Sequence, residues 1–275
     1  MEQLILMKQR IKAVETIKKV THAMRLISMS SHTRLNEKKK HLLTYKKAFE
    51  ELRSSVQPVL PEAPEEPTIV EDQHLLILVG SQKGLCGPFN TTLFKYFSPY
   101  KVAMRNRASF IGVGSYAVEY LNRKQVSQVA SFNTFTVDTF VAISQAITDY
   151  ITKSPIRYTT VTVFSNKQKS FFVQLPQQNQ VYPLPEQKSE ETLETEYLFE
   201  QSPEKLSETL DTMLLTLNLQ ALLFDSLISE QAARFVSMDS STRNAENLLT
   251  SLKIGYNKIR QASITRELTE LSASQ

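Results

Sequence analysis

The chain has 275 residues, enough for one large domain or two ordinary ones, and its 41% hydrophobic content can fill a sizeable core, which excludes a disordered chain. A formal charge of +4 and a pI near 9.0 are too mild for nucleic acid to be the expected partner. The single cysteine, Cys86, excludes an internal disulfide and a zinc site resting on thiolates, no apolar run reaches the ~20 residues of a membrane span, and no signal or transit segment is apparent, so a soluble, unprocessed chain is expected.

Charge is segregated along the chain. The first 57 residues carry 13 Lys/Arg against 5 Asp/Glu, whereas residues 186–211 carry 9 acidic residues against 2 Lys. Residues 1–57 contain neither glycine nor proline, which is hard to reconcile with turns. Apolar residues there step by threes and fours, through Ile11, Val14, Ile17, Val20, Met24 and Ile27, then Leu42, Tyr45, Phe49, Leu52 and Val56. This predicts one helix of about 50 residues, ~75 Å long, with a heptad seam that needs a partner helix. Pro58 ends it, and PVLPEAPEEPTIVED (58–72) reads as a solvated linker.

Residues 73–200 have another texture. Leu75 to Val79 reads as a buried strand, Pro88 to Phe97 as a short helix, Ser109 to Val113 as a second strand and Tyr116 to Leu121 as a helix. Thr136 to Ile151 has helical spacing, TTVTVF and SFFVQL read as two strands joined by the turn SNKQK, and QQNQVYPLPEQ (177–187) reads as a loop. Strands alternating with helices predict a Rossmann-like α/β domain with a largely parallel sheet. Residues 202–275 predict a second long helix, with Ser202 as N-cap and Pro203 at the first helical position. Its seam is expected at Leu206, Leu210, Met213, Leu217, Ala221, Phe224, Ile228, Ala232, Phe235 and Met238, then Ala245, Leu248, Leu252, Ile259 and Ala262. Gly255 costs this helix about 1 kcal/mol against alanine, too little to break it. The expected fold is α/β plus a long antiparallel coiled coil, a rod made of the two terminal helices with the α/β domain as its foot. Small polar residues dilute the seams at SMSSHT (28–33) and SMDSSTRN (237–244), which a free-standing coiled coil would not choose.

Nucleotide and metal chemistry find no support. GSQKGLCGPFN (80–90) follows an apolar strand as a phosphate loop would, but Gly80 and Gly84 are separated by three residues rather than four, and Leu85 stands where a P-loop needs Lys. Gly112 and Gly114 lack the third glycine of a dinucleotide fingerprint. His22, His32 and His41 sit ten and nine residues apart on the first helix and point in different directions, and His74 is the fourth and last histidine. No GxSxG elbow positions a nucleophile. No catalytic residue, cofactor or metal ligand is assigned. Lys38, Lys39 and Lys40 read as a solvated helix face.

Three stretches resemble the gamma subunit of F-type ATP synthases. RIKAVETIKKVTHAM (10–24) is similar to that family's opening helix, and GSQKGLCGPFN to the glycine-cysteine loop after its first strand. The stretch SEQAARFVSMDSSTRNAENLLTSLKIGYNKIRQASITRELTEL (229–271) is similar to its closing helix over about 40 residues without a gap. Three features depart from the family's usual pattern: Ser31 stands where Lys is usual, GLCGP replaces GLCGG, and the chain ends LTELSASQ.

The resemblance implies a rotor shaft without an active site of its own, which makes three identical beta subunits unequal through differential contact. It implies as partners a ring of alpha and beta subunits, the epsilon subunit and the membrane c-ring, with no nucleic acid. It implies a peripheral place at the cytoplasmic face of a bacterial inner membrane. By motif position it assigns beta-subunit contacts to Met24, Lys83, Cys86, Arg260, Gln261, Thr265 and Glu267. The polar dilution of the seams is then expected on the shaft's outer faces, where contacts form and release. The alternatives are a coiled-coil scaffold or nucleic-acid-binding protein with an α/β ligand domain, and a nucleotide-dependent enzyme.

Overall fold

The computed structural model describes residues 2–56, 73–104, 107–184 and 202–273, so the predicted linker and residues 185–201 lie outside the described residues. In chain order the elements are α1 (Glu2–Val56), β1 (His74–Val79), α2 (Phe89–Ala103), β2 (Ala108–Val113), α3 (Ser115–Arg123), β3 (Gln128–Phe132), α4 (Phe140–Lys153), β4 (Thr160–Ser170), β5 (Val173–Tyr182) and α5 (Pro203–Ala273). They form two compact units, one of Met1–Ser31 with Arg234–Gln275 and one of His32–Ala233. The two long terminal helices and the central mixed α/β sheet are those expected from the sequence. Helix α5 starts at Pro203, where the missing N–H costs nothing, and the Leu206 N–H donates to the Ser202 carbonyl at 3.1 Å. It continues through Gly255.

In the His32–Ala233 unit the sheet order is β3-β2-β1-β4-β5. Strand β1 is parallel to both β2 and β4, β2 is parallel to β3, and only β4 and β5 pair antiparallel. Because β1 is flanked on both sides and covered on both faces, its run LLILV after His74 is continuously apolar. Leu75, Ile77 and Val79 join one core with Ile143 and Ile147 of α4, Leu219 and Leu223 of α5, and Leu35 of α1. Leu76 and Leu78 point the other way, onto Leu93 and Phe97 of α2 and Leu121 of α3. The middle of α5 is buried on nearly every side. By length and composition alone this stretch is apolar enough for a membrane span, against the expectation of no such run, and most of it is buried inside the protein.

Four local expectations change. Helix α2 continues past Phe97 through Pro99, because Tyr100 packs its ring 5.1 Å from Phe164 and holds the extra turn. Strand β3 has no counterpart in the sequence reading, being a five-residue edge strand without an apolar run. Helix α4 starts at Phe140 rather than Thr136, whose N–H donates instead to the Thr139 hydroxyl at 2.9 Å. Strands β4 and β5 run through SNKQK and through the first part of the expected loop QQNQVYPLPEQ, and they reverse after Ser170. A backbone ladder rather than apolar alternation carries this arm, with Ser165 opposite Gln177 and Asn166 opposite Pro176.

The seam of α1 keeps Ile11, Val14, Leu42, Phe49 and Val56 of the expected line, but between residues 17 and 28 it lies one position from where the apolar residues suggested. Every residue at steps of three and four from Leu4 through Val14, Thr21, Ser28, Leu35 and Leu42 to Val56 is buried or half-buried. The expected seam residues Ile17, Val20 and Ile27 are instead 54%, 53% and 64% exposed, and Leu248 of α5 is 50% exposed. Some of the small polar residues expected outside are inside, with Ser28 only 1% and Thr242 4% exposed, whereas Ser30, Thr33 and Ser240 are exposed as expected. Thr242 goes in because it finds a partner across the coil. In the terminal unit the Thr242 hydroxyl donates to the Thr21 hydroxyl at 2.9 Å, Arg25 Nη1 lies 2.7 Å from Asp239 Oδ1, and Lys18 Nζ lies 2.9 Å from Glu246 Oε1. The buried apolar cluster there is Val14 with Ala245 and Leu249, and Ile11 and Leu252 pack against it. In the His32–Ala233 unit Lys39 Nζ reaches Asp225 Oδ1 at 2.5 Å, and Arg53 Nε reaches Asp211 Oδ1 at 2.7 Å.

Phe97 is fully buried, edge-on to Phe110 and Phe164. Urea unfolding of the Phe97→Ala chain is expected to show a loss of about 3–5 kcal/mol. Val102→Ala, on the exposed side of the same helix, is expected to stay within about 0.5 kcal/mol.

Candidate functional site

The expected contact residues divide between the two units. Met24, Arg260, Gln261, Thr265 and Glu267 belong to the terminal unit, Lys83 and Cys86 to the other. Met24 is half-buried on α1, and its steps of three and four lead to Val20 and Ile27, so it sits in the apolar stripe that faces outward. Arg260, Gln261 and Thr265 are all exposed on α5. The Thr265 hydroxyl donates to the Gln261 carbonyl at 3.0 Å, as helical hydroxyls commonly do. Ile264 and Leu268, 49% and 62% exposed, follow Arg260 at steps of four on the same face. Glu267 lies on this helix, and its side chain is outside the described residues.

The outward apolar residues Ile17, Val20, Ile27, Leu248, Ile264 and Leu268 are absent from the expected contacts, although they are the most conspicuous feature of this surface. The signal that could have found them is a second three-four stripe on α1, one position out of phase with the residues that have acidic or hydroxyl partners. Read alone, the apolar stripe imitates a seam.

Loop 80–90 sits at the carboxyl end of β1, where strand order changes direction between β2 and β4; that end is the usual ligand crevice of doubly wound sheets. Here the crevice is filled from within. Asn90 Oδ1 accepts the Ser81 N–H at 3.0 Å, and Asn90 Nδ2 donates to the Ser81 hydroxyl at 2.7 Å. The Cys86 thiol lies 3.8 Å from that hydroxyl and 3.9 Å from the Lys83 carbonyl. The Ser115 hydroxyl donates to the Gln82 carbonyl at 2.6 Å, and the Gln82 side chain accepts the Phe135 N–H. Gly114, with φ of +87°, lets the next crossover pass, since a Cβ there would stand 2.4 Å from the Gly80 carbonyl oxygen. The amides of Gly80, Ser81 and Phe89, which a phosphate cradle would use, are committed to Val113, Asn90 and Cys86.

This network presents Lys83 outward and keeps Cys86 inside, 3% exposed and packed with Phe89 and Ala233. At the loop's tip Leu85 is 58% exposed with φ of +64°, a left-handed backbone that costs a non-glycine residue about 1 kcal/mol. The sequence reading treated this position only as a failed P-loop lysine. Beside it a recess of about 380 Å³ is lined by Gly84, Leu85, Phe94, Tyr116, Glu119 and Arg123.

Asp239 is the most perturbed carboxylate among the described residues. Hydrogen bonds from Arg25 and then Arg243 hold its carboxyl below the usual carboxylate range, against the opposing effect of burial. Within α5, Arg243 is its neighbour four residues on.

Comparison with known proteins gives whole-chain similarities. Residues 3–275 match the family model described as ATP synthase. The ATP synthase gamma chain of Flavobacterium psychrophilum is 30% identical over 279 residues, which cover 96% of this chain and 94% of that one. The gamma chain of Pelagibacter ubique is 28% identical over 280 residues, 96% of each chain. Among solved structures, a chain of the Euglena gracilis mitochondrial ATP synthase rotor superposes with a TM-score of 0.69 at 13% identity, over 96% of this chain and 99% of that one. A chain of the Tetrahymena thermophila mitochondrial ATP synthase central stalk and c-ring gives 0.60 at 18% identity, over 80% and 98%.

Two outcomes follow from this geometry. Asn90→Ala removes the buried staple of the loop and is expected to cost about 1–3 kcal/mol in urea unfolding. Asp239 has a folded pKa below its unfolded one, so its contribution is complete above the unfolded value of about 3.9 and is lost as pH falls through the folded value. The difference in urea midpoint between wild type and Asp239→Asn is therefore expected to be constant from pH 7 down to about 5 and to shrink below about 4. A difference that persists undiminished at pH 2 would show that the carboxylate's charge is not what matters.

Proposed function

The chain belongs to the ATP synthase family as one of its gamma chains, and from that membership we propose that it works as the central rotor shaft of an F-type ATP synthase. It couples ion-driven rotation of a membrane c-ring to the conformational cycle of the catalytic beta subunits. The observation that carries this reading is the sorting of residues on the terminal helices, with charge and hydroxyl pairs turned inward and apolar side chains turned outward. In water alone such an outer face is a liability. Against the wall of a surrounding ring it is a bearing surface.

The shaft needs no active site. It acts by presenting a different side to each beta subunit at any angle, and only such differential contact can shift their equilibria. Met24 and its neighbours Val20 and Ile27 offer apolar contact, while Arg260, Gln261, Thr265 and Glu267 offer polar contact that forms and breaks without a large desolvation cost. On the loop, Lys83 is the contact for carboxylates and Leu85 the apolar one. Cys86 serves from beneath, holding the loop that carries both.

The partners are the alpha and beta subunits, the epsilon subunit and the c-ring. The protein is peripheral to the membrane as part of this complex, at the cytoplasmic face of the bacterial inner membrane. A nucleic-acid role for basic α1 is weakened by the fate of its charges, since Lys18, Arg25, Lys39 and Arg53 face acids of α5.

Co-expression with the alpha and beta subunits of the same organism is expected to yield a complex containing the chain and hydrolysing ATP faster than the ring without it. A complex that excludes the chain, or hydrolysis indifferent to it, would sink the rotor reading. Within the complex, Arg260→Glu and Leu85→Ala are each expected to lower hydrolysis about threefold or more while the chain's urea midpoint stays unchanged.

A further inference from the structure

We propose that the recess at the amino ends of strands β2 and β3 is a binding site for a phosphate monoester. It lies at the opposite end of the sheet from loop 80–90, has no part in the rotor reading, and stands or falls apart from it.

The recess has a volume of about 470 Å³ and is lined by Lys101 and Val102 of α2, Ala108 and Phe110 of β2, and residues Lys124 to Ser127 between α3 and β3. Each of its four polar side chains, on Lys101, Lys124, Gln125 and Ser127, can donate a hydrogen bond, and none has a side-chain partner among the described residues. No carboxylate is among the described residues that line it.

Lysines at helix C-termini have an ordinary explanation, and Lys101 is in the last turn of α2 while Lys124 caps α3. Magnitudes show that this explanation is not enough. Two helix ends carry about −0.5 each, or about −1 together, against two lysines in the wall and Arg107, exposed beside Ala108, which leaves about +2. No acid offsets this excess, since Glu119 is the only Asp or Glu in residues 91–137 and Arg123 engages it on α3.

A phosphate monoester carries about −1.5 to −2 near neutral pH and offers three strong acceptor oxygens, which matches both the excess charge and the set of donors. A carboxylate, with one charge and two oxygens, would leave part of each unmatched. The remaining walls are apolar, with Phe110 buried at one end and Val102 68% exposed at the other, and they seat the carbon portion of the ester.

The backbone holds the donors in place. The Val126 N–H donates to the Leu121 carbonyl at 3.0 Å and the Gln125 N–H to that of Asn122 at 2.9 Å, the two bonds that close a helix on a left-handed residue. That residue is most often glycine, and here Gln125, with φ of +53°, keeps a donor side chain at the recess. On the α2 side the Arg107 N–H donates to the Met104 carbonyl at 3.1 Å.

The test is lysine acetylation of the full chain, read by mass spectrometry, with soluble glycerol 3-phosphate in one arm and vesicles of phosphatidylcholine carrying phosphatidic acid in the other. At about ten times the dissociation constant, bound ester is expected to slow labelling of Lys101 and Lys124 about tenfold while Lys95, exposed on α2, keeps its rate. Protection by the soluble ester assigns a free phosphate compound as the ligand, and protection by the vesicles alone assigns a membrane headgroup. Protection by neither, equal protection by sodium acetate at the same ionic strength, or equal protection of Lys95 overturns the site. With whichever ligand protects, Lys101→Gln with Lys124→Gln is expected to weaken binding about tenfold or more, whereas Lys38→Gln with Lys40→Gln, an equal change of charge on exposed α1 positions, leaves it within about twofold. Gln125→Gly separates binding from folding, because glycine suits the left-handed backbone: the urea midpoint is expected to rise while binding weakens about threefold or more. Unaltered affinity in the double lysine variant also overturns the proposal.

Discussion

A two-helix coil has room in its seam for about two residues of every seven, and everything else on its helices faces outward. In this protein the α1 side of that narrow strip is shared between apolar residues such as Val14, Leu35 and Val56 and charges and hydroxyls such as Lys18, Thr21 and Arg25. The choice contributes little stability, because partly exposed ion pairs each add about 0–1 kcal/mol. The cost is moderated by incomplete burial: the Asp225 and Asp239 side chains keep 16% and 18% of their exposure, enough for water to share in their solvation.

Filling the seam with polar pairs displaces apolar residues outward. Ile17, Val20 and Ile27 cannot enter a strip already occupied by Lys18, Thr21 and Ser28, so the same helix acquires a polar inside and an apolar outside. For an isolated domain this inverts the usual economy of burial. For a shaft it solves two problems together, since the inside must not slip and the outside must touch several neighbours in turn. The middle of α5 meets a different demand. There it is flanked by the sheet, α4 and α1, and Leu215, Leu219, Leu223, Phe224 and Leu227 are all buried in one core.

The long helices were legible because absence of glycine and proline over more than fifty residues is a strong and local signal. The parallel strands were legible for the same kind of reason, their apolar runs being short and continuous. What the sequence could not disclose was phase. Two three-four stripes one position apart run along α1, and periodicity alone prefers the more hydrophobic one. Deciding between them needs the acids at 211, 225, 239 and 246, which lie some 160–230 residues away and matter only once the antiparallel register is known. The hairpin of β4 and β5 was misjudged for a related reason. Its outer arm is stabilised by backbone pairing, and side-chain patterning carries little trace of that. Residue positions within the candidate site were read from family motifs, and the exposed, strained Leu85 stood in plain view of that reading but had no motif to recommend it.

Loop 80–90 shows how one fold is put to a different use. The carboxyl end of β1 is where such sheets ordinarily hold a ligand, and here Ser81, Cys86 and Asn90 fill it with their own hydrogen bonds. The conformational freedom that a nucleotide loop keeps for binding is removed, and Lys83 and Leu85 are projected from a fixed base. In the proposed rotor role, a contact that transmits force would need that rigidity more than affinity, because a loop that yields on contact stores the work instead of passing it on. The polar seam and the filled loop are thus one solution applied twice: directional bonds inside hold the geometry, and the surface is left to meet its partners.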